Sequence, residues 1–299
     1  MKTSFYWQAT NIGLLLLIAF LWASAFGAMK IAVVETGPIS LAATRSSIAA
    51  LILLFILRSK GPIEWSILWR HLPQFLVVGG IGSALPFILI PWAELRIESS
   101  LVALLMSVGP IATMAGAWAF GLERHISKRR IFGILIGLSG TCLILAKGFS
   151  AIGQGYVIAQ LVAVFASLCY VSGNLMVRKL SDIPPLTISA LAISLAAILL
   201  WPLALIIEAA NPSSWSALSW QMVVWLGVMP TALAFSIRYY LIARAGASFT
   251  SYVGYLIPAI AMIIGATILG EAITSDKIIA LGLILIGLLF AQTQKQSKP

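Results

Sequence analysis

Long runs of apolar residues follow one another along the whole chain, and the polar residues are concentrated in short stretches between them. An α-helix needs about 20 such residues to cross a hydrocarbon core of about 30 Å. The pattern therefore predicts an all-α integral membrane protein with ten transmembrane helices. The predicted spans are residues 12–32, 38–57, 73–92, 99–121, 131–147, 155–176, 185–207, 221–241, 248–269 and 277–292.

Composition supports this class of protein. Only 9% of the residues are charged, 61% are hydrophobic and the mean hydropathy is +1.03, whereas soluble domains carry about 25% charged residues. Cys142 and Cys169 fall inside predicted spans, and His71 and His125 fall in loops without ligand spacing around them. We therefore expect no disulfide framework, no metal site and no cofactor.

The net charge of +10 reflects an uneven placement of the basic residues. If the ten helices alternate in direction, most of the 19 Lys and Arg residues lie on the side of the N-terminus. Short cytoplasmic loops of membrane proteins are rich in these residues. We therefore expect both termini in the cytoplasm and predict a multi-pass protein of the cell (inner) membrane, with lipid as a partner and no nucleic acid.

The stretch FLWASAFGAMK, at residues 20–30, allows two interpretations. Ala-Ser-Ala after an apolar run has the form of a signal-peptidase site, or the stretch is the outer end of a retained span. The second is favoured because the stretch recurs: WASAFGAMK at 22–30 aligns with YVSGNLMVR at 170–178, an offset of 148 residues. No signal peptidase acts that deep in a chain, so we expect no cleaved signal peptide.

Further matches at the same offset indicate a duplicated unit. SALPF at 83–87 meets TALAF at 231–235, and the P-x12-E spacing that begins at Pro110 recurs at Pro258. Because five helices are an odd number, the second copy must enter the membrane in the opposite sense.

The predicted domains are therefore a first five-helix repeat at 12–147 and a second, inverted one at 155–292. Inverted repeats are a common architecture of secondary transporters, whose substrate site lies near the midplane between the repeats.

These motifs resemble the EamA-type members of the drug/metabolite transporter superfamily. The resemblance rests on the W-x-S-x5-K element that ends at Lys30, on the two P-x12-E spacings and on LGE at 269–271, and it covers essentially the whole chain. GLE at 121–123 departs from the typical LGE. The resemblance implies small-molecule export by alternating access, with spans 1, 3, 4, 6, 8 and 9 around a central cavity. Within the superfamily, exporters of aromatic amino acids are the most similar.

Two aromatic residues are predicted to reach the middle of the membrane from opposite faces. Trp22 lies eight residues before Lys30, and Tyr170 lies eight before Arg178; eight helical residues cover about 12 Å. The alternative is that such aromatic residues pack the bundle or contact lipid, with the serines as small interface residues. The candidate substrate-binding residues are Trp22, Ser24, Ser83, Phe87, Met106, Ser107, Tyr170, Asn174, Phe235, Tyr252 and Tyr255.

Pro110 and Pro258 fall in the middle of the fourth and ninth predicted spans. A proline inside a helix removes a backbone hydrogen bond and bends the helix. Because the freed carbonyl needs a protein or water partner, such breaks usually face a cavity. We expect these two prolines to be hinges.

The predicted cavity is aromatic and carries few charges, which suits a small zwitterion such as an aromatic amino acid. A sugar phosphate would need several cations at the midplane, and Arg45 is the only deep one. Its alternative role is to bind backbone carbonyls at the outer end of its helix. Export of a nucleotide sugar, sugar phosphate or drug stays open, as do a cargo-less membrane scaffold and the oligomeric state.

The carboxylates are all predicted to lie at the ends of spans. Proton-driven transporters commonly use a carboxylate or histidine inside the membrane, so the sequence predicts uncoupled uniport. Glu123 and Glu271, at equivalent helix ends, are expected to be helix-end contacts or gates. No convergent set of nucleophile, acid and base indicates an enzyme, and no ring of like charges indicates a channel. The outer carboxylates are Glu35, Glu94, Glu98, Glu208, Glu271 and Asp276, and the inner ones are Glu64, Glu123 and Asp182.

Overall fold

A computed structural model describes residues 2–119, 128–151, 154–245, 250 and 252–292, and nearly all of this part of the chain is helical. Short turns join the helices, so the all-α class is confirmed for the described residues. The α-helices are α1 Lys2–Thr36, α2 Pro38–Ser59, α3 Trp65–Arg70, α4 Leu72–Phe75, α5 Leu85–Glu94, α6 Ser99–Met106, α7 Val108–Ala119, α8 Lys128–Ala151, α9 Gln154–Val177, α10 Pro185–Ile207, α11 Ala217–Leu226, α12 Ala234–Ala245, α13 Val253–Ile268 and α14 Ser275–Gln292.

Six continuous helical runs among the described residues are long and apolar enough to cross a membrane, and three further apolar helices are shorter. The chain is therefore a multi-pass membrane protein. Ten crossings, their inverted order and cytoplasmic termini stay predictions. The six long runs are Ala9–Thr36, Pro38–Ser59, Leu72–Glu94, Gly155–Val177, Pro185–Ile207 and Ala217–Arg238, and the shorter ones are Ser99–Thr113, Ile131–Ala146 and Leu256–Ile268.

Two wide-turn π-helical segments interrupt the long runs at positions that the sequence repeat aligns. Leu76–Ala84 joins α4 to α5, and Gly227–Leu233 joins α11 to α12. In the first segment the Ser83 hydroxyl donates to a carbonyl five residues back at 2.9 Å, and in the second the Thr231 hydroxyl does the same at 2.7 Å. π-Helical turns are rare and often occur at functional sites, so both segments mark places to look for one.

The first π-helical segment packs directly against α9 through glycine. A Cβ atom added to Gly82 would lie 2.6 Å from the Cα of Gly173, and one added to Gly79 would lie 2.5 Å from the Ala192 carbonyl oxygen in α10. Small residues at such crossings let membrane helices approach closely. The third predicted span is thereby wedged between helices of the second predicted repeat.

Gly82→Ala is expected to destabilise the protein, because neither backbone at this crossing can yield to a side chain. Overpacking of this kind costs about 1–3 kcal/mol. The matched control is Gly80→Ala in the same segment, where the new Cβ would meet only the Leu199 side chain at an ordinary 3.6 Å. Thermal melting of the purified protein in detergent measures both. Equal melting temperatures for the two variants would contradict the expected backbone clash.

Candidate functional site

Arg45 is buried on α2, and its head group contacts an aromatic ring, a hydroxyl and a sulfur atom. Its guanidinium carbon lies 4.1 Å from the centre of the Phe87 ring. One terminal nitrogen donates to the Thr231 hydroxyl at 3.0 Å, and the other lies 3.3 Å from the Met29 sulfur. These contacts are to side chains, so the suggestion that Arg45 serves backbone carbonyls is wrong for this structure.

The third nitrogen of the Arg45 guanidinium, Nε, is buried and has no hydrogen-bond partner among the described residues. Buried charges are normally paired and fully hydrogen-bonded, because an unpaired one costs several kcal/mol. Arg45 therefore keeps the capacity to bind an anionic group. The surroundings of that group would be a phenyl ring, a thioether and a hydroxyl.

Phe87 and Tyr170, both predicted site residues, meet beside Arg45. Their rings contact edge to face, with centroids 6.5 Å apart and planes at 69°. Phe87 is buried on α5, and Tyr170 on α9 packs against both of the largest apolar clusters of the bundle. The structure thus brings together one aromatic residue from each predicted repeat and a cation from α2.

Trp22 forms a second aromatic contact, with the other π-helical segment. Its indole N–H donates to the Pro230 carbonyl at 2.9 Å, and its ring meets Phe235 edge to face with centroids 5.9 Å apart. The Arg238 guanidinium lies 5.8 Å from the Trp22 ring centre. Trp22 and Phe235, again from the two predicted repeats, are therefore neighbours as well.

The predicted serines use their hydroxyl protons within their own helices. Ser24 donates to the Leu21 carbonyl, Ser83 donates within its π-helical segment and Ser107 donates to the Ala103 carbonyl. The Ser24 oxygen also accepts a hydrogen bond from the Trp225 indole at 3.1 Å. These hydroxyls are consequently held in place and have little free capacity to donate to a cargo.

The remaining predicted residues are more dispersed. Met106 packs against the largest apolar cluster, whereas the side chains of Asn174 and Tyr252 are exposed. Pro258 is buried inside α13. The side chains of Tyr255 and Pro110 lie outside the described residues, although Pro110 belongs to α7.

Three glutamates cap helix N-termini at the end of the bundle where α1 ends and α2 begins, and we call this end the capped end. Each glutamate follows or ends one helix and accepts hydrogen bonds at the start of another. Glu35 caps α11 through Ser216, Glu208 caps α2 through Ile39 and Ser40, and Glu271 caps α6 through Ser99 and Ser100, at donor distances of 2.6–2.9 Å. Each pair joins the first predicted repeat to the second.

These caps satisfy backbone N–H groups that a helix start otherwise leaves unpaired, and they place negative charge at the positive end of the helix dipole. Glu271 is therefore a helix-end contact, as the sequence predicts, while Glu123 lies outside the described residues. At Gly37, just before α2, φ is 75° and an added Cβ would lie 2.6 Å from Glu208. The cap thus requires glycine at that position.

Glu271→Gln is expected to lower thermal stability by about 1 kcal/mol, the usual contribution of a helix cap. Burial acts to raise the pKa of Glu271, but the hydrogen bonds from Ser100 and Ser99 outweigh it and hold the pKa below its ordinary 4.5. Because the folded pKa is the lower one, the stabilisation is complete above the ordinary pKa and is lost as pH falls through the folded pKa.

The melting temperatures of wild type and Glu271→Gln should therefore differ at neutral pH and converge in acid. Glu64→Gln, which changes an exposed carboxylate at the opposite end of α2, is the matched control and should show no such convergence. A difference that stays constant from neutral pH down to strong acid would refute the ionised cap.

Arg45 and Glu94 are not among the candidate binding residues taken from the sequence. Both are buried ionisable residues with side-chain polar atoms that lack a hydrogen-bond partner among the described residues. The sequence places Glu94 in the water at the outer end of its span, and the structure corrects this, because the whole residue is buried with 0% exposure. Lys30 beside it donates to the backbone carbonyls of Glu94 and Ile97. Within the described ranges no three His, Cys, Asp or Glu side chains converge on a metal position.

Comparison with known families decides what kind of protein this is. The model of the EamA-like transporter family matches residues 10–146 and again residues 155–293. The chain belongs to the EamA-like transporter family. This EamA-like transporter is therefore a membrane protein that carries a small molecule, and its relatives are named as transporters rather than enzymes.

Similar proteins come from archaea and bacteria. An uncharacterized transporter of Archaeoglobus fulgidus is 26% identical over 89% of this EamA-like transporter and 93% of its own length. A probable terminal-alkyne amino-acid exporter of Streptantibioticus cattleyicolor is 24% identical over 86% and 84% of the two chains. The inner membrane transporter YedA of Escherichia coli K12 is 23% identical over 96% and 92%.

A solved crystal structure shares the fold of this EamA-like transporter. The two superimpose with a TM-score of 0.68 at 19% sequence identity, and the alignment covers 95% of this chain and 97% of the other. At this level of identity the likeness concerns the helical architecture alone.

Proposed function

We propose that this transporter exports amino acids, including aromatic ones, across the inner membrane by alternating access. The observation that carries the proposal is the buried Arg45 guanidinium, which lies on the Phe87 ring and keeps one nitrogen unpaired. A guanidinium in a protein interior is the preferred partner of a carboxylate. The Streptantibioticus relative named as an amino-acid exporter, and the resemblance of the sequence to the aromatic amino-acid exporter YddG, support the same class of cargo.

The chemistry around Arg45 favours an amino acid over the other cargo classes of the superfamily. Phe87 and Tyr170 offer ring edges and faces to an apolar or aromatic side chain. A sugar phosphate or nucleotide sugar carries at least two negative charges and calls for several converging cations. A lipophilic cation would be repelled by Arg45. A zwitterion with an apolar side chain fits best.

The proposed mechanism is an exchange of shape between two inverted five-helix repeats around the Arg45 region. Three observations support it: the family match falls twice on the chain, the two π-helical segments occupy aligned positions, and the three glutamate caps each join one repeat to the other. The distribution of Lys and Arg supports the capped end as the outer one. The described conformation would then be closed to the outside.

Pro258 and Pro110 are the proposed hinges. Pro258→Ala restores a helical N–H in α13 and should lower the maximal transport rate more than it weakens cargo binding, because hinge residues govern conformational steps. Pro202→Ala is the matched control, since this proline also interrupts a helix, α10, but is exposed on its surface. Initial rates and binding constants for phenylalanine measure both effects. Unchanged turnover in the Pro110→Ala, Pro258→Ala double variant would remove the hinge assignment.

Purified protein in liposomes tests the proposed function. We expect saturable uptake of tritiated phenylalanine, with competition by unlabelled tryptophan and none by a nucleotide sugar or a lipophilic cation. Uptake of the nucleotide sugar instead would assign a different cargo. Failure of all three cargoes to move would indicate a scaffold.

The uncoupled uniport predicted from the sequence rests on the placement of every carboxylate at the end of a span, away from the midplane. Glu94 does end its helix, but it is enclosed by protein rather than in water. The energy source of transport therefore depends on what this carboxylate does.

A further inference from the structure

Glu94 is a fully buried carboxylate residue with two cations, Lys30 and Arg45, in its surroundings. It ends α5, its relative exposure is 0%, and neither carboxylate oxygen has a hydrogen-bond partner among the described residues. Buried carboxylates in proteins are normally paired or fully hydrogen-bonded. An unpaired ionisable group inside a membrane protein is costly and usually marks a path for a substrate, an ion or a proton.

The charged and titratable groups around Glu94 come from every helix packed on α5. Lys30 on α1 is bound to backbone carbonyls, and Tyr170 on α9 lies beside Arg45. Glu271, after α13, is held by the start of α6. Arg45 on α2 interacts with Glu94 electrostatically, but without a hydrogen bond between them. Arg45 and Glu94 both have buried polar atoms in their head groups that lack a hydrogen-bond partner among the described residues.

The unused donor and the unused acceptors are both found at α5, the first beside Phe87 and the second on the last residue of the helix. Phe87, on whose ring Arg45 lies, and Glu94 are seven residues apart, which is about 10 Å along the helix and nearly the same face. A cationic donor and an anionic acceptor are thus placed about two helical turns apart, and no hydrogen bond joins them. An α-amino acid carries the complementary pair, a carboxylate and an ammonium group on one carbon.

We propose that Arg45 binds the α-carboxylate and Glu94 the α-ammonium group of the exported amino acid, and that a proton replaces the ammonium group on Glu94 after release. The inference rests on the proposed function and adds its coupling. Outside, the amino acid leaves and Glu94 takes up one proton. Inside, the next amino acid binds, and the proton passes from Glu94 to the cytoplasm. One proton enters for each zwitterion that leaves.

The first test follows protons and cargo together. Liposomes that contain the purified transporter, phenylalanine and a trapped pH-sensitive dye are diluted into buffer free of phenylalanine. We expect the lumen on the cytoplasmic side of the protein to acidify as phenylalanine leaves, and more acid outside to speed the efflux. In Glu94→Gln the proton movement should vanish. In Glu98→Gln, which changes a half-exposed neighbouring carboxylate paired with Lys277, it should remain.

The second test compares phenylalanine with two analogues that each lack one charged group. 3-Phenylpropanoate has no ammonium group and phenethylamine has no carboxylate. Wild type should bind phenylalanine at least about tenfold more tightly than either, the factor for one charge-assisted hydrogen bond. Glu94→Gln should lose the preference over 3-phenylpropanoate and keep the preference over phenethylamine, because Arg45 is unchanged.

The outcomes separate this inference from the proposed function. Phenylalanine efflux without proton movement, or wild-type affinity for 3-phenylpropanoate equal to that for phenylalanine, would overturn the role of Glu94 and leave amino-acid export standing. No binding or flux of phenylalanine at all would overturn both. If Glu94→Gln does not fold, the wild-type proton signal and analogue preference decide by themselves.

Discussion

Arg45→Met is expected to lower the rate of phenylalanine transport about tenfold to a hundredfold. The substitution keeps an unbranched side chain of similar length but removes the cation, and a hydrogen bond to a charged group contributes about 1.5–3 kcal/mol. It also removes one of the two cations that act on the buried Glu94 and leaves Lys30 as the other, which adds to the cost. Initial uptake rates in liposomes with equal amounts of protein measure the effect.

Arg96→Met is the matched control for this prediction. The Arg96 guanidinium also lies over an aromatic ring, 3.8 Å from the centre of Trp92, but its side chain is exposed. Loss of this contact should change transport little, because exposed cation–π pairs contribute only about 0.5–1 kcal/mol. Equal rates for the two methionine variants would show that burial of Arg45 has no role in transport.

Trp22→Ala is expected to abolish transport and to destabilise the protein by about 3 kcal/mol, the lower end of the cost of removing a buried large aromatic side chain, because Trp22 is partly buried. The change deletes the ring that meets Phe235 and leaves the Pro230 carbonyl without its donor. Trp22→Phe separates the two effects, since it keeps a ring and loses only the N–H. Thermal melting in detergent and phenylalanine uptake measure both.

Trp65→Ala provides the comparison for the tryptophan variants. Trp65 lies at the start of α3 and is 45% exposed, so its removal should leave melting and transport almost unchanged. If Trp22→Ala melts and transports like Trp65→Ala, then the contact between α1 and the second π-helical segment contributes to neither stability nor transport.

The class of protein and the helix positions could be predicted because they follow from local sequence. A hydrocarbon core sets the length of an apolar run, so each predicted span coincides with described helix over most of its length. The repeat signal also has a local counterpart, since Ser83 and Thr231 make the same hydrogen bond inside aligned π-helical segments. The pattern of apolar residues did not predict that these segments are π-helical.

The aromatic part of the candidate site could be predicted only in part. Depth along a helix follows from counting residues, which brings Trp22, Phe87, Tyr170 and Phe235 to the interior. Direction around the helix does not follow from depth. Asn174 and Tyr252 are therefore exposed although they lie on the predicted helices.

The burial of Glu94 was missed because hydropathy assigns charged residues by their distance from the ends of a span, whereas Arg45 was recognised as deep but its partners were not predicted. A residue near the end of a span is placed in water, whereas the packing of other helices around it decides its exposure. Glu94 is enclosed in this way. The hydrogen bond of Arg45 to Thr231 joins positions far apart in the sequence. The periodicity of apolar residues along the chain cannot predict such a contact.

Counterflow in liposomes tests the central claim most directly. Liposomes that contain the purified transporter and a high concentration of unlabelled phenylalanine are diluted into trace tritiated phenylalanine. A carrier that alternates around one binding site exchanges the two pools, so labelled phenylalanine should accumulate transiently inside above its outside concentration, and Arg45→Met should suppress this overshoot. Equilibration without an overshoot in the wild type, or an overshoot that Arg45→Met leaves unchanged, would contradict the account.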